Sequence, residues 1–406
     1  MSEAAAPATH LIDDTKARRN TILLSASHAL YGGNAVIVIT TGGLIGHMLT
    51  VDKGLATLPI TSFVTGTALM TVPASMFMRR VGRRVGFMTG AGFGLAGSLL
   101  AAYAIYLQSF WLFALATFLT GGYQAFAQYY RFAATDIASE AFKAKAIAWV
   151  LVGGLFAAIF GPMIVIWTKA LSPVLFAGCF VASACLAVVA MAVLSRIDIP
   201  LPREADGTSD ARPLGIILRQ RRLLVAIFCG IAAYGMMNVV MTASPLAMVA
   251  CGFSVDYAAW VIQWHVLAMY IPSFFTGHLI NRFGKEKVIA AGMVLLAGCG
   301  AVALAGIDLA NFGLALVLLG LGWNFGFVGS TALVTDCYRP SERNKVQAVN
   351  DFCVFGMVAV ASFTSGKLLH LVGWDAVVMT LFPLVALALC LIAWLALTSR
   401  GESAAV

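Results

Sequence analysis

Twelve long apolar stretches constrain this chain most, because each is long enough to cross a lipid bilayer as a helix, which takes about 20 residues. The stretches cover residues 21–49, 55–78, 85–106, 109–135, 146–168, 173–195, 223–249, 257–280, 288–306, 311–335, 347–371 and 375–398. Only 11% of the residues are charged, against about 25% in a soluble domain. The sequence therefore predicts an all-α integral membrane protein embedded in a lipid bilayer.

The basic residues fall mainly on one side of these spans. With the N-terminus placed in the cytoplasm, 22 of the 26 Lys and Arg residues lie in cytoplasmic segments, as the positive-inside rule requires. The net charge of +8 follows from this bias and indicates no nucleic-acid partner. No cleavage site precedes the first span, so we expect no signal peptide. We expect a bacterial inner-membrane protein with both termini in the cytoplasm.

The chain also contains an internal duplication. Residues 122–145 align with residues 322–345 at a shift of 200, with Gly, Thr, Asp and Lys at matching positions. Repetition at one fixed offset indicates two copies of one structural unit. The expected domains are a tail 1–20, a six-helix bundle 21–195, a cytoplasmic linker 196–222, a second six-helix bundle 223–398 and a tail 399–406.

The loops after the second and eighth spans also match each other. They read SMFMRRVGRR (75–84) and GHLINRFGKE (277–286). Both resemble the G-x-x-x-D-R-x-G-R-R signature of the major facilitator superfamily, although Arg79 and Asn281 replace its acidic residue. The resemblance implies twelve transmembrane helices in two six-helix bundles that alternate in access. The residues expected to form the conformational-switch loops are Arg80, Gly82, Arg83, Gly277, Arg282 and Gly284.

Two four-residue spacings in the seventh and eighth spans suggest a ligand site. Met237 and Met241 share one helix face, as do His265 and Met269, and both pairs lie at similar predicted depth. Thioethers and imidazole are soft, neutral ligands that suit Cu(I). An ionisable group inside a membrane is functional by default, whereas methionines on a span often only pack. The pattern predicts a copper site at these four residues.

Further sulfur and imidazole groups suggest a route for such an ion. Cys229, Met248 and Cys251 share a 120° stripe of the seventh span with the two methionines. On the first span, His47 and Met48 lie near the outer end and His28 in the inner half. We therefore expect these six residues to be pathway contacts, with packing as the alternative.

The M-x-x-x-M and H-x-x-x-M pairs on these two helices resemble the bacterial copper importers of the CcoA type, a branch of the same superfamily. The resemblance implies uptake of copper or a small copper complex as a substrate, with no resident cofactor. It further implies delivery to cytochrome c oxidase biogenesis and a cytoplasmic copper chaperone. No nucleophile–base pair or cofactor motif appears, so we expect a protein that is not an enzyme.

One rival function is a proton-coupled transporter of a small organic or anionic solute. Such carriers usually hold acidic residues within their spans, and Asp351 is the nearest example here. Arg131 lies on one face of the fourth span with Gln124 and Gln128, where it suits an anionic solute or extends to the cytoplasmic surface. A second rival is a sensor or assembly factor that holds copper without moving it, although no sizeable soluble domain supports it.

Overall fold

Helices occupy most of the chain that the computed structural model describes, which comprises residues 14–200 and 212–404. The predicted tail 1–20 and linker 196–222 therefore fall partly outside the described residues. The N-terminal half contains α1 (Thr15–Leu49), α2 (Leu58–Val81), α3 (Arg83–Tyr106), α4 (Phe110–Ala127), α5 (Tyr130–Ala133), α6 (Glu140–Thr168) and α7 (Ala177–Leu194). The short helix α8 (Leu214–Ile217) follows. The C-terminal half contains α9 (Arg221–Ala250), α10 (Val255–Tyr270), α11 (Ser273–Phe283), α12 (Lys285–Leu304), α13 (Leu309–Trp323), α14 (Gly329–Thr335), α15 (Arg343–Leu371), α16 (Trp374–Met379) and α17 (Leu381–Ala404).

Within the described residues, eleven helical segments are long and apolar enough to span a membrane, and the bent pair α10 and α11 forms a twelfth. Every regular element in the described chain is helical, because unpaired backbone groups are too costly in hydrocarbon. The prediction of an all-α membrane protein with twelve spans is confirmed.

The eighth span is broken, whereas the sequence pattern predicts one continuous helix over 257–280. Its two parts, α10 and α11, meet at an angle of 42°. Pro272 lies in the break and has no N–H to donate to the preceding turn, so the regular helix ends at Tyr270. The tenth span is also irregular, because a π-helical turn, Asn324–Val328, separates α13 from α14.

Small residues allow close packing of helices within each half. In the N-terminal half, a Cβ atom at Gly66 of α2 would lie 2.2 Å from the Phe118 carbonyl oxygen of α4. A Cβ at Gly121 of α4 would lie 2.1 Å from the Phe63 carbonyl oxygen. The two backbones are therefore in direct contact, as small residues permit in membrane helix packing.

The halves meet at one side of the membrane, which carries loops 50–57, 169–176 and 251–254. We call this side the opposite face, because it lies across the membrane from the face that carries most of the Lys and Arg residues. Thr57 donates a 3.0 Å hydrogen bond to the Ser362 carbonyl, and Thr61 donates a 3.2 Å bond to the Ser362 hydroxyl. Lys169 forms an ion pair with Asp256. We call this set of contacts the clasp. It closes the space between the halves at the opposite face.

The other side, here called the basic face, carries loops 134–139 and 336–342 and the described ends of the linker, 195–200 and 212–220. Its described ion pairs lie within one half. Arg83 bonds Asp136 at 2.9 Å in the N-terminal half, while Arg222 lies 3.4 Å from Asp336 in the C-terminal half. The segments α5, α11 and α14 pack chiefly against helices of their own half. These ion pairs therefore stabilise each half by itself and do not fasten the two halves together at the basic face.

The described end of the linker is attached to the C-terminal half at this face. Arg212 binds Glu342 through two hydrogen bonds of 2.7 Å, one from Nε and one from a terminal guanidinium nitrogen. The Glu342 side chain is buried. The hydrogen bonds from Arg212 hold the pKa of this carboxyl well below its usual range. The carboxylate therefore stays charged over the physiological range of pH and remains a partner for Arg212.

Candidate functional site

A central cavity lies between the two halves. Both halves contribute to its wall, through α1, α2, α4 and α6 on one side and α9, α10 and α15 on the other. Ligand sites in transporters of this architecture lie near the midplane between the repeats. The cavity is therefore the candidate binding site.

Phenylalanine and tyrosine rings form part of the wall. The five rings that line the cavity are those of Tyr31, Phe63, Tyr234, Tyr270 and Phe355. Tyr234 and Phe355 contact each other edge to face at 5.8 Å between ring centroids, which joins α9 to α15. Rings from two halves suit a flat aromatic ligand, since offset-stacked and edge-to-face pairs are both favourable.

The polar groups in the wall are few and mostly neutral. Gln124 of α4 accepts a 3.3 Å hydrogen bond from Thr67 of α2 through its Oε1 atom. Asn238 of α9 also lines the cavity, and its amide oxygen accepts a long bond of 3.5 Å from Thr242. His28 of α1 is the titratable side chain of the described lining apart from the tyrosines. Among the described residues, the lining contains no Asp, Glu, Lys or Arg.

The three predicted methionine ligands do reach this cavity. Met237, Met241 and Met269, here called the cavity methionines, all contribute to its wall. They come from α9 and α10, the two helices that the sequence pattern selects. Methionine fills irregular apolar space and contacts aromatic rings favourably, so this placement alone requires no metal.

His265 does not join the cavity methionines, contrary to the expected convergence. The imidazole is fully buried, and its Nδ1 atom lies 2.8 Å from the Leu316 carbonyl oxygen of α13. Helix α10 turns Val266, Met269 and Tyr270 toward the cavity, whereas His265, one turn from Met269, faces the interior of the C-terminal half. A backbone carbonyl therefore supplies a partner for one ring nitrogen, while the buried Nε2 atom has no hydrogen-bond partner among the described residues.

The expected pathway residues of the seventh span are separated. Cys229 and Met248 are buried in the core of the C-terminal half, and neither belongs to the cavity wall. Cys251 is exposed at the end of α9. No group of three His, Cys, Asp or Glu side chains forms a potential metal site within the described chain.

The three candidate contacts of the first span lie in different environments. His28 lines the cavity, where its ring contacts those of Tyr31 and Tyr130 at centroid distances of 5.9 and 6.4 Å. His47 and Met48 are exposed at the opposite face, beyond the clasp. Among these three, only His28 is placed to touch a ligand in the cavity.

The predicted switch loops form tight connections at the basic face. Gly82 ends α2 with φ 87° and Gly284 ends α11 with φ 91°, a left-handed conformation that glycine adopts without strain. Arg83 forms the ion pair described above, whereas Arg80 and Arg282 are exposed. Gly277 lies within α11 and has open space around it. The switching role of these loops remains a prediction.

Sequence reasoning missed the aromatic wall, although part of its signal was present. Tyr31 and Tyr270 are polar aromatic residues in the apolar spans that also carry His28 and Met269. Tyrosine in a membrane interior needs a partner for its hydroxyl, which is a reason to consider it for a site. Arg131, the candidate contact for an anionic solute, lies on α5 and does not line the cavity itself. Its guanidinium lies 4.8 Å from the Phe132 ring centroid and close enough to the wall residues Tyr234 and Tyr270 to interact with them electrostatically.

Comparison with known families supports the class that the fold and cavity define. The sequence matches the Major Facilitator Superfamily over residues 23–254 and 226–406. The chain belongs to this superfamily, and it is a multi-pass membrane transporter rather than an enzyme.

Individual relatives narrow the comparison. The chain is 50% identical over 382 residues to the riboflavin transporter RfnT of Brucella anthropi, which covers 93% of this chain and 96% of that protein. It is 30% identical over 352 residues to the uncharacterized MFS-type transporter YddS of Bacillus subtilis, covering 82% of this chain and 81% of that protein. A shorter match joins 172 residues to the drug efflux pump JefA of Mycobacterium tuberculosis at 28% identity, covering 42% of this chain and 34% of the pump.

The predicted copper uptake is therefore wrong. A relative with half of its residues identical over nearly the whole chain is a transporter of an organic solute, and this finding agrees with the rival hypothesis of an organic solute. The resemblance to copper importers of the CcoA type is not confirmed, and no comparison supports metal binding, a copper chaperone or cytochrome oxidase biogenesis. The physical reason for the error is that methionines at helical spacing pack equally well around an organic ligand.

Proposed function

We propose that this protein carries riboflavin, or a flavin with the same ring system, across the membrane. The observation that carries the proposal is its extensive identity to the Brucella anthropi riboflavin transporter. The cavity supports the same conclusion independently, because its wall combines aromatic rings from both halves with neutral amides. Riboflavin has matching chemistry: a flat tricyclic ring, one uracil-like edge with donors and acceptors, and a chain of hydroxyl groups.

The roles of the wall residues follow from this chemistry. Tyr234 and Tyr270 of the C-terminal half and Tyr31 of the N-terminal half provide ring faces and edges for the flavin ring. Asn238 and Gln124 provide amides for its polar edge. The described wall contains no Lys or Arg, although Arg131 lies close enough to interact electrostatically with the wall residues Tyr234 and Tyr270. We infer that neutral riboflavin is preferred over flavin mononucleotide, because a phosphate would lose hydration on entry without a cationic side chain in the wall itself.

We further infer that the basic face is cytoplasmic, and that the protein resides in the bacterial inner membrane. The distribution of Lys and Arg supports this orientation. Reaction of a membrane-impermeant thiol reagent with single cysteines tests it, with Val51 of the opposite face and Ser195 of the basic face as the labelled positions. Labelling of position 51 in intact spheroplasts, with position 195 reacting only after lysis, is the expected result.

Counterflow in proteoliposomes tests the proposed substrate without an assumption about direction or driving force. Vesicles loaded with unlabelled riboflavin should accumulate radioactive riboflavin transiently, because an alternating carrier exchanges the two pools. Unlabelled riboflavin outside the vesicles should compete better than flavin mononucleotide. Vesicles without protein provide the blank, and absence of counterflow by correctly folded protein would refute the proposal.

Substitution of Asn238 tests whether the cavity is the binding site. Asn238→Leu removes the amide at similar volume, and one neutral hydrogen bond contributes about 0.5–1.5 kcal/mol, so the Kd should rise about 2- to 13-fold. Asn311→Leu is the matched control, since Asn311 lies outside the wall and bonds the Val302 carbonyl at 3.1 Å. Equal affinities in both variants would place the binding site elsewhere.

A further inference from the structure

The break in the eighth span is held together by one side chain from the tenth span. Asn324 is fully buried and begins the π-helical turn Asn324–Val328. Its amide nitrogen donates 2.7 Å hydrogen bonds to the Met269 carbonyl and to the Ser273 hydroxyl. Its amide oxygen accepts a 2.6 Å bond from the Thr276 hydroxyl. One amide therefore bonds both arms of the break.

These bonds lie where the backbone needs them. The missing N–H of Pro272 leaves the Ala268 carbonyl without its usual helical partner, and the span bends by 42° at this point. Buried backbone carbonyls require partners, and the Asn324 amide bonds the neighbouring carbonyl, that of Met269. π-Helical turns are frequent at functional sites, and this turn places the amide against the break.

The bend determines where two wall residues point. Met269 and Tyr270 are the last two residues of α10, and both line the cavity. Asn324 does not line it. Any effect of Asn324 on a ligand must therefore act through the residues that the break orients.

The internal duplication shows that this use of an amide is particular to one half. The shift of 200 residues aligns Asn324 with Gln124, which lines the cavity and bonds Thr67 of the unbroken helix α2. Equivalent positions thus carry an amide that contacts the second helix of each half. In the N-terminal half the amide faces the cavity, and in the C-terminal half it bridges a broken helix.

We propose that Asn324 is a positioning residue, which holds the eighth span in its bend and thereby sets Met269 and Tyr270 against the transported solute. The proposal concerns the shape of the cavity wall and does not require that the solute be a flavin. Only the binding measurement below rests on the proposed function.

A distance measurement tests the bend directly. Nitroxide labels at Tyr257 and Asn281, both exposed, in a cysteine-free variant report the separation of the two arms. With a rise of 1.5 Å per residue, straightening the 42° bend lengthens this separation by about 2 Å. Asn324→Leu should give a longer and broader distance distribution, whereas the Asn311→Leu control on the same span should not. An unchanged distribution in Asn324→Leu would overturn the proposal.

A milder variant covers the case in which Asn324→Leu does not fold. Ser273→Ala combined with Thr276→Val removes two of the three bonds to Asn324 and keeps the amide in place. We expect a broader distribution than in the parent, at a monodisperse elution profile. A parental distribution in this variant would also contradict the proposed brace.

A double-mutant cycle on riboflavin binding separates positioning from general damage. Asn324→Leu and Tyr270→Ala should each weaken binding about tenfold, and because one acts through the other, the double variant should lose about tenfold rather than 100-fold. Multiplicative losses would show that Asn324 acts independently of Tyr270 and would refute the positioning role. Failure of the parent to bind riboflavin would refute the flavin proposal, while the distance measurement would still decide this one.

Discussion

Gly366 offers the sharpest test of the closed opposite face. It lies on α15 in the clasp, where a Cβ atom would sit 2.2 Å from the Thr57 hydroxyl oxygen and 2.9 Å from the Thr57 Cβ. Rotation of the Thr57 side chain about its Cα–Cβ bond removes the first contact but not the second, because this rotation does not move the Cβ atom. Gly366→Ala is therefore incompatible with the clasp unless α2 and α15 separate.

The size of the effect follows from the cost of overpacking. Adding a methyl group to a packed contact costs about 1–3 kcal/mol, which corresponds to a shift of about 5- to 150-fold in a two-state equilibrium. This cost destabilises only the state in which the opposite face is closed. Gly366→Ala should therefore move the population toward a state that is open at the opposite face.

Spin-label distances across the opposite face measure this shift. Labels at Val51 of the N-terminal half and Val372 of the C-terminal half are both exposed, and Gly366→Ala should add a population at longer distance. Gly356→Ala is the matched control on the same helix, since a Cβ there meets nothing within 4 Å. If Gly366→Ala and the control gave the same distances, the reasoning about the clasp would be refuted.

Three further predictions follow from the contacts described above. Lys169→Met removes the ion pair with half-exposed Asp256, and exposed pairs of this kind contribute about 0–1 kcal/mol. The variant should therefore change the same spin-label distances less than Gly366→Ala does. Replacing all cavity methionines by leucine conserves volume, so counterflow of riboflavin should persist and cellular copper should not change; loss of counterflow would show that the thioethers are required. Glu342→Gln should lower the melting temperature at pH 7, because it removes the carboxylate that pairs with Arg212. Since Arg212 depresses the pKa of Glu342, the difference in melting temperature from the parent should persist at pH 5 and vanish only well below the usual carboxyl range. A difference that vanished between pH 6 and 5 would contradict that pairing.

The residues of the seventh and eighth spans show which part of the cavity wall could be predicted from helical spacing and which part could not. Helical spacing singled out α9 and α10, and the cavity methionines of these two helices do line the cavity. The spacing did not predict that His265 would face away from the cavity. One side of α10 is broad enough that part of it lines the cavity while another part contacts α13, where His265 lies against the Leu316 carbonyl. The aromatic part of the wall includes Tyr31 and Phe355, which come from distant segments of the chain and which no spacing rule connects.

The sequence by itself determined the membrane class, the number of spans, the duplication and the bias of positive charge. These properties are local or additive, since apolar length and charge position act residue by residue. Tertiary structure alone decided which helix faces meet across the halves, where the eighth span breaks and which side of the cavity is closed. Those features depend on contacts between residues far apart in the chain, such as Asn324 with Met269 and Thr57 with Ser362. The spacing of apolar residues within one helix does not identify the helices that pack against it.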